Sequence, residues 1–321
     1  MLLLKMNPTN FQEIIDKFNH QHIVVLGDVM LDEYIFGDVH RISPEAPVPV
    51  LHVRKREYRL GGAANAAHNL ISLGGKCTLI GQVGKDEVKE ELVKELNNKK
   101  INHYLIEKEN YQTIKKTRII AQNQQVVRID QEEIISLTTE EIEKIINLIK
   151  EINPCLILIS DYNKGFVVPL LVEKLKQFPC KIVADPKIKN GQMFKGIYAI
   201  TPNLKEAQEI SGKSEIEEIG QHIIENLNTN LILTRSREGV SCFDRETKEH
   251  FYLPAECGEV VDVSGAGDTF ASSFALAIAS GANLQEGVVL ANKAAGIVVG
   301  KMGTATVSKE ELERKIAPNN F

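Results

Sequence analysis

The sequence has no apolar run long enough to cross a bilayer, no excess of positive charge and no pair of cysteines at zinc or redox spacing. Each absence closes a class of function. A spanning helix needs roughly 20 consecutive apolar residues, and the opening Met1-Leu-Leu-Leu-Lys5 is too short for a secretory signal. The expectation is therefore a cytoplasmic protein with no membrane partner. With 38 Lys and Arg against 43 Asp and Glu, the net charge is −5. No general positive field exists for a nucleic-acid polymer, although a local pocket can hold a small anion. The five cysteines, Cys77, Cys155, Cys180, Cys242 and Cys257, are scattered without a Cys-x-x-Cys. Three stand beside apolar strand-like runs, and buried thiols are expected. Internal repeats and low-complexity linkers are also missing, so residues 1–321 are read as one domain.

What is present is the composition of a globular protein, 43% hydrophobic and 25% charged. Strand-length apolar runs recur at His22–Gly27, Cys77–Val83, Cys155–Ser160, Lys181–Ala184, Tyr198–Thr201 and Leu231–Thr234. Between them lie amphipathic stretches such as Asp86–Lys99, Thr139–Ile152 and Val167–Gln177, where apolar residues return every three or four positions. Near-continuous apolar strands alternating with helices predict an α/β fold, a mostly parallel sheet covered on both faces. Two segments break the rhythm, about 33–57 and about 102–130, with alternating polarity and, in the first, three prolines. They read as an inserted β lid.

Glycine turns before helices bind phosphates in several ways. A P-loop is excluded at Gly212-Lys-Ser214, because Ala207 stands where the first glycine belongs. A dinucleotide fingerprint is excluded at Gly265-Ala-Gly267, because Phe270 replaces the third glycine and would obstruct helix–strand packing. There remains Ser264-Gly265-Ala266-Gly267, whose backbone N–H groups open an apolar helix and favour an anion. Asp268 stands in the same turn. It is either a plain helix-start residue or a base placed to take a proton from a hydroxyl while the N–H groups hold a phosphoryl group.

Asp262-Val-Ser-Gly-Ala-Gly-Asp268 resembles the second signature of the ribokinase-like (PfkB) sugar kinases, and Leu60-Gly-Gly-Ala-Ala-Asn65 the first. Thr201-Pro-Asn-Leu-Lys-Glu206 resembles the family's Asn-x-x-Glu motif, and Leu233-Thr-Arg-Ser-Arg-Glu-Gly239 its nucleotide-binding strand and turn. The resemblance runs over essentially the whole chain. It implies a three-layer α/β/α fold with a mostly parallel central sheet, and ATP and magnesium as cofactors. It makes Asp268 the catalytic base and gives Gly265, Ala266 and Gly267 the anion hole. Asn203, Leu204, Lys205 and Glu206 would meet ATP, with Asn203 and Glu206 organising magnesium through water, a role that suits hard oxygen donors. Asn203 also reads as a helix N-cap after Pro202. Thr234, Ser236 and Gly239 would line the nucleotide, and Asn292, in the helical stretch Leu284–Val299, would sit near adenine.

For the sugar, Asp28, Asp32, Gly61, Gly62 and Asn65 are the candidates, carboxylates and close backbone for hydroxyl groups. Arg41-Ile-Ser-Pro-Glu-Ala-Pro-Val-Pro-Val50, with Lys116-Thr-Arg118, Gln124-Gln-Val-Val-Arg128 and Asp185-Pro-Lys187, resembles the kinase part of bacterial heptose 7-phosphate kinases. That resemblance implies transfer to the anomeric hydroxyl of D-glycero-β-D-manno-heptose 7-phosphate, giving the 1,7-bisphosphate on the route to ADP-heptose and lipopolysaccharide core. Arg118, Arg128 and Lys187 are the cations for the substrate's existing phosphate. Many such kinases are fused to a nucleotidyltransferase with a His-x-Gly-His motif, which is missing here, so adenylyl transfer is not expected. The lid implies a homodimer. Another sugar as acceptor, or a sugar-phosphate sensor without catalysis, remain as alternatives.

Overall fold

The computed structural model describes residues 8–122, 124–256, 258 and 260–317. Along the chain run α1 (Pro8–Asp16), β1 (His22–Gly27), β2 (Val29–Ile42), β3 (Pro49–Gly62), α2 (Ala63–Ser72), β4 (Lys76–Gly84), α3 (Glu87–Asn98), β5 (Asn102–Lys108), β6 (Lys115–Ala121) and β7 (Gln124–Gln131). There follow α4 (Thr139–Ile152), β8 (Leu156–Ser160), α5 (Pro169–Leu175), β9 (Lys181–Asp185), β10 (Ala199–Ile200), α6 (Leu204–Ser211), α7 (Ile216–Asn226), β11 (Asn230–Thr234), β12 (Val240–Phe243), β13 (His250–Leu253), α8 (Ala266–Ala279), α9 (Leu284–Val298) and α10 (Lys309–Ile316). The large sheet has the order β13-β12-β11-β10-β9-β8-β1-β4-β5. It is parallel from β11 to β5, with β12 and β13 added antiparallel at one edge.

Alternation along each strand divides the core. Ile23, Val25, Leu156, Leu158 and Val183 pack with α1, α2, α3, α8, α9 and α10. Val24, Leu26, Ile157, Ile159 and Ile182 pack with α4, α5, α6 and α7. Burial of both faces is why these strands read as unbroken apolar runs. The result is three layers, helix, sheet, helix.

The small sheet has the order β3-β2-β6-β7. The long β2–β3 hairpin turns at residues 43–48, and its prolines fall in that turn and at the first position of β3, where no ladder hydrogen bond is lost. The segment expected in the lid at 102–130 is only partly there. Asn102–Lys108 is β5, the edge strand of the large sheet beside β4. Its alternating polarity is that of a half-exposed edge strand, with Leu105 packed on one core layer and Ile106 on the other, and not that of a lid. Conversely, the lid strands reach further in, to Val29 and Gly62. The cysteine expectation also needs correcting: Cys77 and Cys242 are buried, but Cys155 is exposed and Cys180 half-buried, while Cys257 lies outside the described residues.

Candidate active site

Parallel strands deliver their carboxyl ends to one edge of a sheet, where ligand sites form. Here Asp28 follows β1, Asp161 and Tyr162 follow β8, Asp185 ends β9, Thr201 and Asn203 follow β10, and Thr234 ends β11. The start of α8 and the root of the small sheet close over this edge.

Asp268, in the first turn of α8, is buried. Asn65 Nδ2 donates to its Oδ2 at 2.8 Å and the Tyr162 hydroxyl to its Oδ1 at 2.9 Å. Burial pushes its carboxyl up to about 6, against the pull of those two hydrogen bonds and the Lys187 charge. A carboxyl held there is a usable base near neutral pH. Gly265 caps α8 with φ 78°, and a Cβ on it would stand 2.8 Å from Asn65 Nδ2, the amide that orients the base. Gly267 faces open space. Of the anion-hole donors, the Ala266 N–H already donates to the Val263 carbonyl at 3.2 Å; the next N–H groups of the first turn have no intrahelical acceptor.

Ala266 and Gly267 border a cavity of about 620 Å³ that also meets Asn203, Thr234, Ser236, Gly239 and Asn292. Three of the four sequence motifs, those at 201–206, 233–239 and 262–268, thus converge on one space together with Asn292. Gly239 turns β11 into β12 at φ 100°, where a Cβ would fall 2.1 Å from the Leu253 carbonyl oxygen. Asn292 donates to the Pro254 carbonyl at 2.8 Å and so holds the cavity wall. Leu204 and Lys205 do not line this cavity: Leu204 packs against the core and Lys205 is exposed, because helical rotation turns both away.

Asn203 is the N-cap of α6 and forms a reciprocal capping box with Glu206. Glu206 Oε1 also receives Lys187 Nζ at 2.5 Å. Lys187 lies 5.0 Å from the Tyr162 ring centroid, and the Asp185 and Asp268 charges reach it. The sequence placed Lys187 with Arg118 and Arg128; the structure puts it at the transfer end instead, because β9 carries it beside α6 rather than into the lid. Asp185 is buried and pushed up to about 7 by burial, with the Glu206 and Asp268 charges adding to the push. Three carboxyls around one lysine leave negative charge uncompensated. Their hard oxygens fit a magnesium ion, although no group of three His, Cys, Asp or Glu side chains forms a ready cage among the described residues.

Asp28, expected to meet the sugar, is engaged by backbone in this structure. Its two oxygens accept from the backbone N–H groups of Tyr162, Lys164 and Phe166 at 2.8, 3.1 and 3.1 Å, so it pins the loop after β8. Burial pushes it up to about 6. Asp32, nearly inaccessible, accepts from Arg118 at 2.6 Å. Gly61 stands beside it, and Gly62 caps α2 at φ 57°, ψ −135°, a backbone only glycine takes up readily. In the lid, Arg118 and Arg59 flank the Tyr34 ring at 5.2 and 4.8 Å. Arg128 pairs with Arg118 across the strands but lies half in solvent, bonded through two nitrogens to Asp130.

Sequence reasoning assigned no role to Tyr162, Asp185, Arg59 or the nearly inaccessible Lys293, whose Nζ donates to Glu256 at the cavity wall at 2.9 Å. The position of Tyr162 and Asp185 at the ends of predicted strands was the available signal. No helix among the described residues is long and apolar enough to cross a membrane.

Comparison with known proteins adds to this geometry. The model of the pfkB family carbohydrate kinases matches residues 20–311. The Bifunctional protein HldE of Psychromonas ingrahamii is 40% identical over 310 residues, covering 94% of this chain and 64% of the relative. That of a Nitratiruptor species is 41% identical over 302 residues, covering 91% and 64%. The chain therefore spans about 64% of the length of these curated relatives. Phosphofructokinase-2 from Escherichia coli in complex with potassium superposes with a TM-score of 0.78 at 18% identity, over 92% of this chain and 98% of that one. Arabidopsis thaliana ribokinase complexed with ribose and ATP gives 0.72 at 18%, over 92% and 99%.

Proposed function

Because the chain belongs to the pfkB family of carbohydrate kinases and has the ribokinase-like fold, we propose that it phosphorylates the anomeric hydroxyl of D-glycero-β-D-manno-heptose 7-phosphate, with ATP as donor, in the route to ADP-heptose and lipopolysaccharide core. The observation that carries the transfer chemistry is Asp268, fixed between Asn65 and Tyr162 where the 620 Å³ cavity meets the start of α8. The observation that favours a phosphorylated sugar is Arg59 and Arg118 on either side of Tyr34, on the lid face that carries Asp32.

In this reading the nucleotide fills the cavity beside Thr234, Ser236, Gly239 and Asn292. Asn65 and Tyr162 hold the Asp268 carboxylate toward the sugar hydroxyl, and Asp268 takes its proton as the sugar oxygen bonds to the γ-phosphorus of ATP and the bond from that phosphorus to the departing ADP oxygen breaks. The free N–H groups of the α8 start receive the transferred phosphoryl group, charge stabilisation that needs no reorganisation. Lys187 supplies a positive charge at the same point. Asn203 and Glu206, with Asp185 behind them, would hold magnesium through water, and the ion would supply charge neutralisation for the phosphates. Arg59 and Arg118 grip the sugar's own phosphate, and the lid excludes water. Arg128, exposed, adds charge at the rim. Changing Asp268 to Asn keeps the shape and removes the base; turnover should fall about a thousandfold while both ligands still bind by calorimetry. Near-normal turnover would remove the base from the account.

The lid also supports a homodimer. Val53, Val127 and Ile129 stand about half-exposed on it, and Val127 and Ile129 alternate with Arg128 and so face away from the site.

A further inference from the structure

At the opposite edge of the sheet, two cysteines stand just before neighbouring strands. Leu156 of β8 and Lys181 of β9 are the first pair in parallel register, so Cys155 and Cys180 each stand one residue before it. Ile157 and Ile182, two residues on from each, are register partners in the same core layer. By alternation the two thiols therefore lie on one face of the sheet. The Cys155 N–H donates to the His22 carbonyl at 2.9 Å, so the chain is already in the sheet at this point. Neighbouring strands run roughly 4.8 Å apart, inside the roughly 4.4–6.8 Å that a disulfide spans between Cα atoms. Each cysteine follows a proline, Pro154 and Pro179.

The two thiols differ in a useful way. Cys155 is exposed, and Cys180 is half-buried. Burial raises the Cys180 thiol, and a negative charge at Cys155 raises it further, so the sulfurs lie within electrostatic reach of one another. Cys180 also lines a second cavity of about 540 Å³ together with Lys176, Lys181 and Arg245, against Asp244 and Glu246. Cations outnumber carboxylates in its lining by three to two.

We propose that Cys155 and Cys180 are a redox-active dithiol that closes to an intramolecular disulfide by exchange with a small anionic disulfide of the glutathione type. The Cys155 thiolate attacks one sulfur of the reagent, whose disulfide bond breaks and releases one thiolate. The Cys180 thiol then loses its proton and attacks Cys155 sulfur, and the second reagent thiolate leaves. Two protein thiols are oxidised, one reagent disulfide is reduced to two thiols, and no other oxidant is needed. β8 and β9 are five residues each, so the pair lies roughly 17 Å from the strand ends that carry Tyr162 and Asp185. It is a modification site separate from phosphoryl transfer.

The test uses the full chain carrying Cys257→Ser, incubated with oxidised glutathione, alkylated and mapped by mass spectrometry. The expected result is loss of two alkylatable thiols and a peptide pair joined through Cys155 and Cys180, reversed by dithiothreitol. With Cys180→Ser, a glutathione adduct should persist on Cys155. Cys77 and Cys242, buried with raised thiols, should stay reduced. Unchanged thiols, a stable adduct on Cys155 in the chain that keeps Cys180, or a bond between two chains would each overturn the proposal.

Discussion

Asp268 meets almost no solvent, and two neutral donors hold its charge in place. Hydrogen bonds to the charged form lower a carboxyl's pKa, and burial raises it. Since kcat/KM reports the free enzyme and only the ionised base works, activity should rise with pH through about 6. Tyr162→Phe removes one of the stabilising donors, so that limb should move to higher pH; a limb that stays in place or moves down would detach Tyr162 from the base. Gly265 is a second residue whose effect is local. An alanine there carries roughly 1–2 kcal/mol of left-handed backbone strain and presses on Asn65 Nδ2. Gly265→Ala should lower both thermal stability and kcat, checked by melting and steady-state rates. Asp268 was legible because its chemistry lies within one turn of sequence. Tyr162 was not, since 106 residues separate it from the carboxylate it holds, and no local pattern encodes that meeting.

Loops and helix starts carry the next level. Asp28 does for the loop after β8 what a cap does for a helix, accepting three backbone N–H groups in a buried place. Asp28→Ala leaves those donors without a partner, each orphaned group costing about 1–3 kcal/mol. A stability loss of at least ~2 kcal/mol in denaturant unfolding is expected, with a fall in kcat as Tyr162 loses its seat. A variant as stable as the parent would mean that the loop is held elsewhere. Glycine turns were readable as elements because Gly62, Gly239 and Gly265 each occupy backbone that other residues avoid. β5 was misplaced, since an edge strand and a lid strand share the same alternation and differ only in their neighbours.

Over the whole molecule, the layered α/β body followed from buried runs such as His22–Gly27, and the lid from the breaks between them. What one chain's sequence could not carry is the balance of charges across the site, where Arg118 in the lid is claimed by Asp32 and Lys187 at the transfer end by Glu206. The apolar outer face of the lid supports a paired molecule. Val127→Asp together with Ile129→Asp should shift sedimentation from dimer to monomer, and an unchanged dimer would place the contact elsewhere. The central claim is that this chain moves a phosphoryl group to the anomeric oxygen of a sugar already phosphorylated at its far end. Phosphorus NMR of the product, formed from ATP with D-glycero-β-D-manno-heptose 7-phosphate beside unphosphorylated heptose, fructose 6-phosphate and ribose, tests it most directly. The account predicts a 1,7-bisphosphate made fastest of all, and at least about a hundredfold faster than any product of the two unphosphorylated sugars, the scale of losing a charge-assisted phosphate grip of about 3 kcal/mol; equal turnover of an unphosphorylated sugar, or no anomeric phosphate, would contradict it.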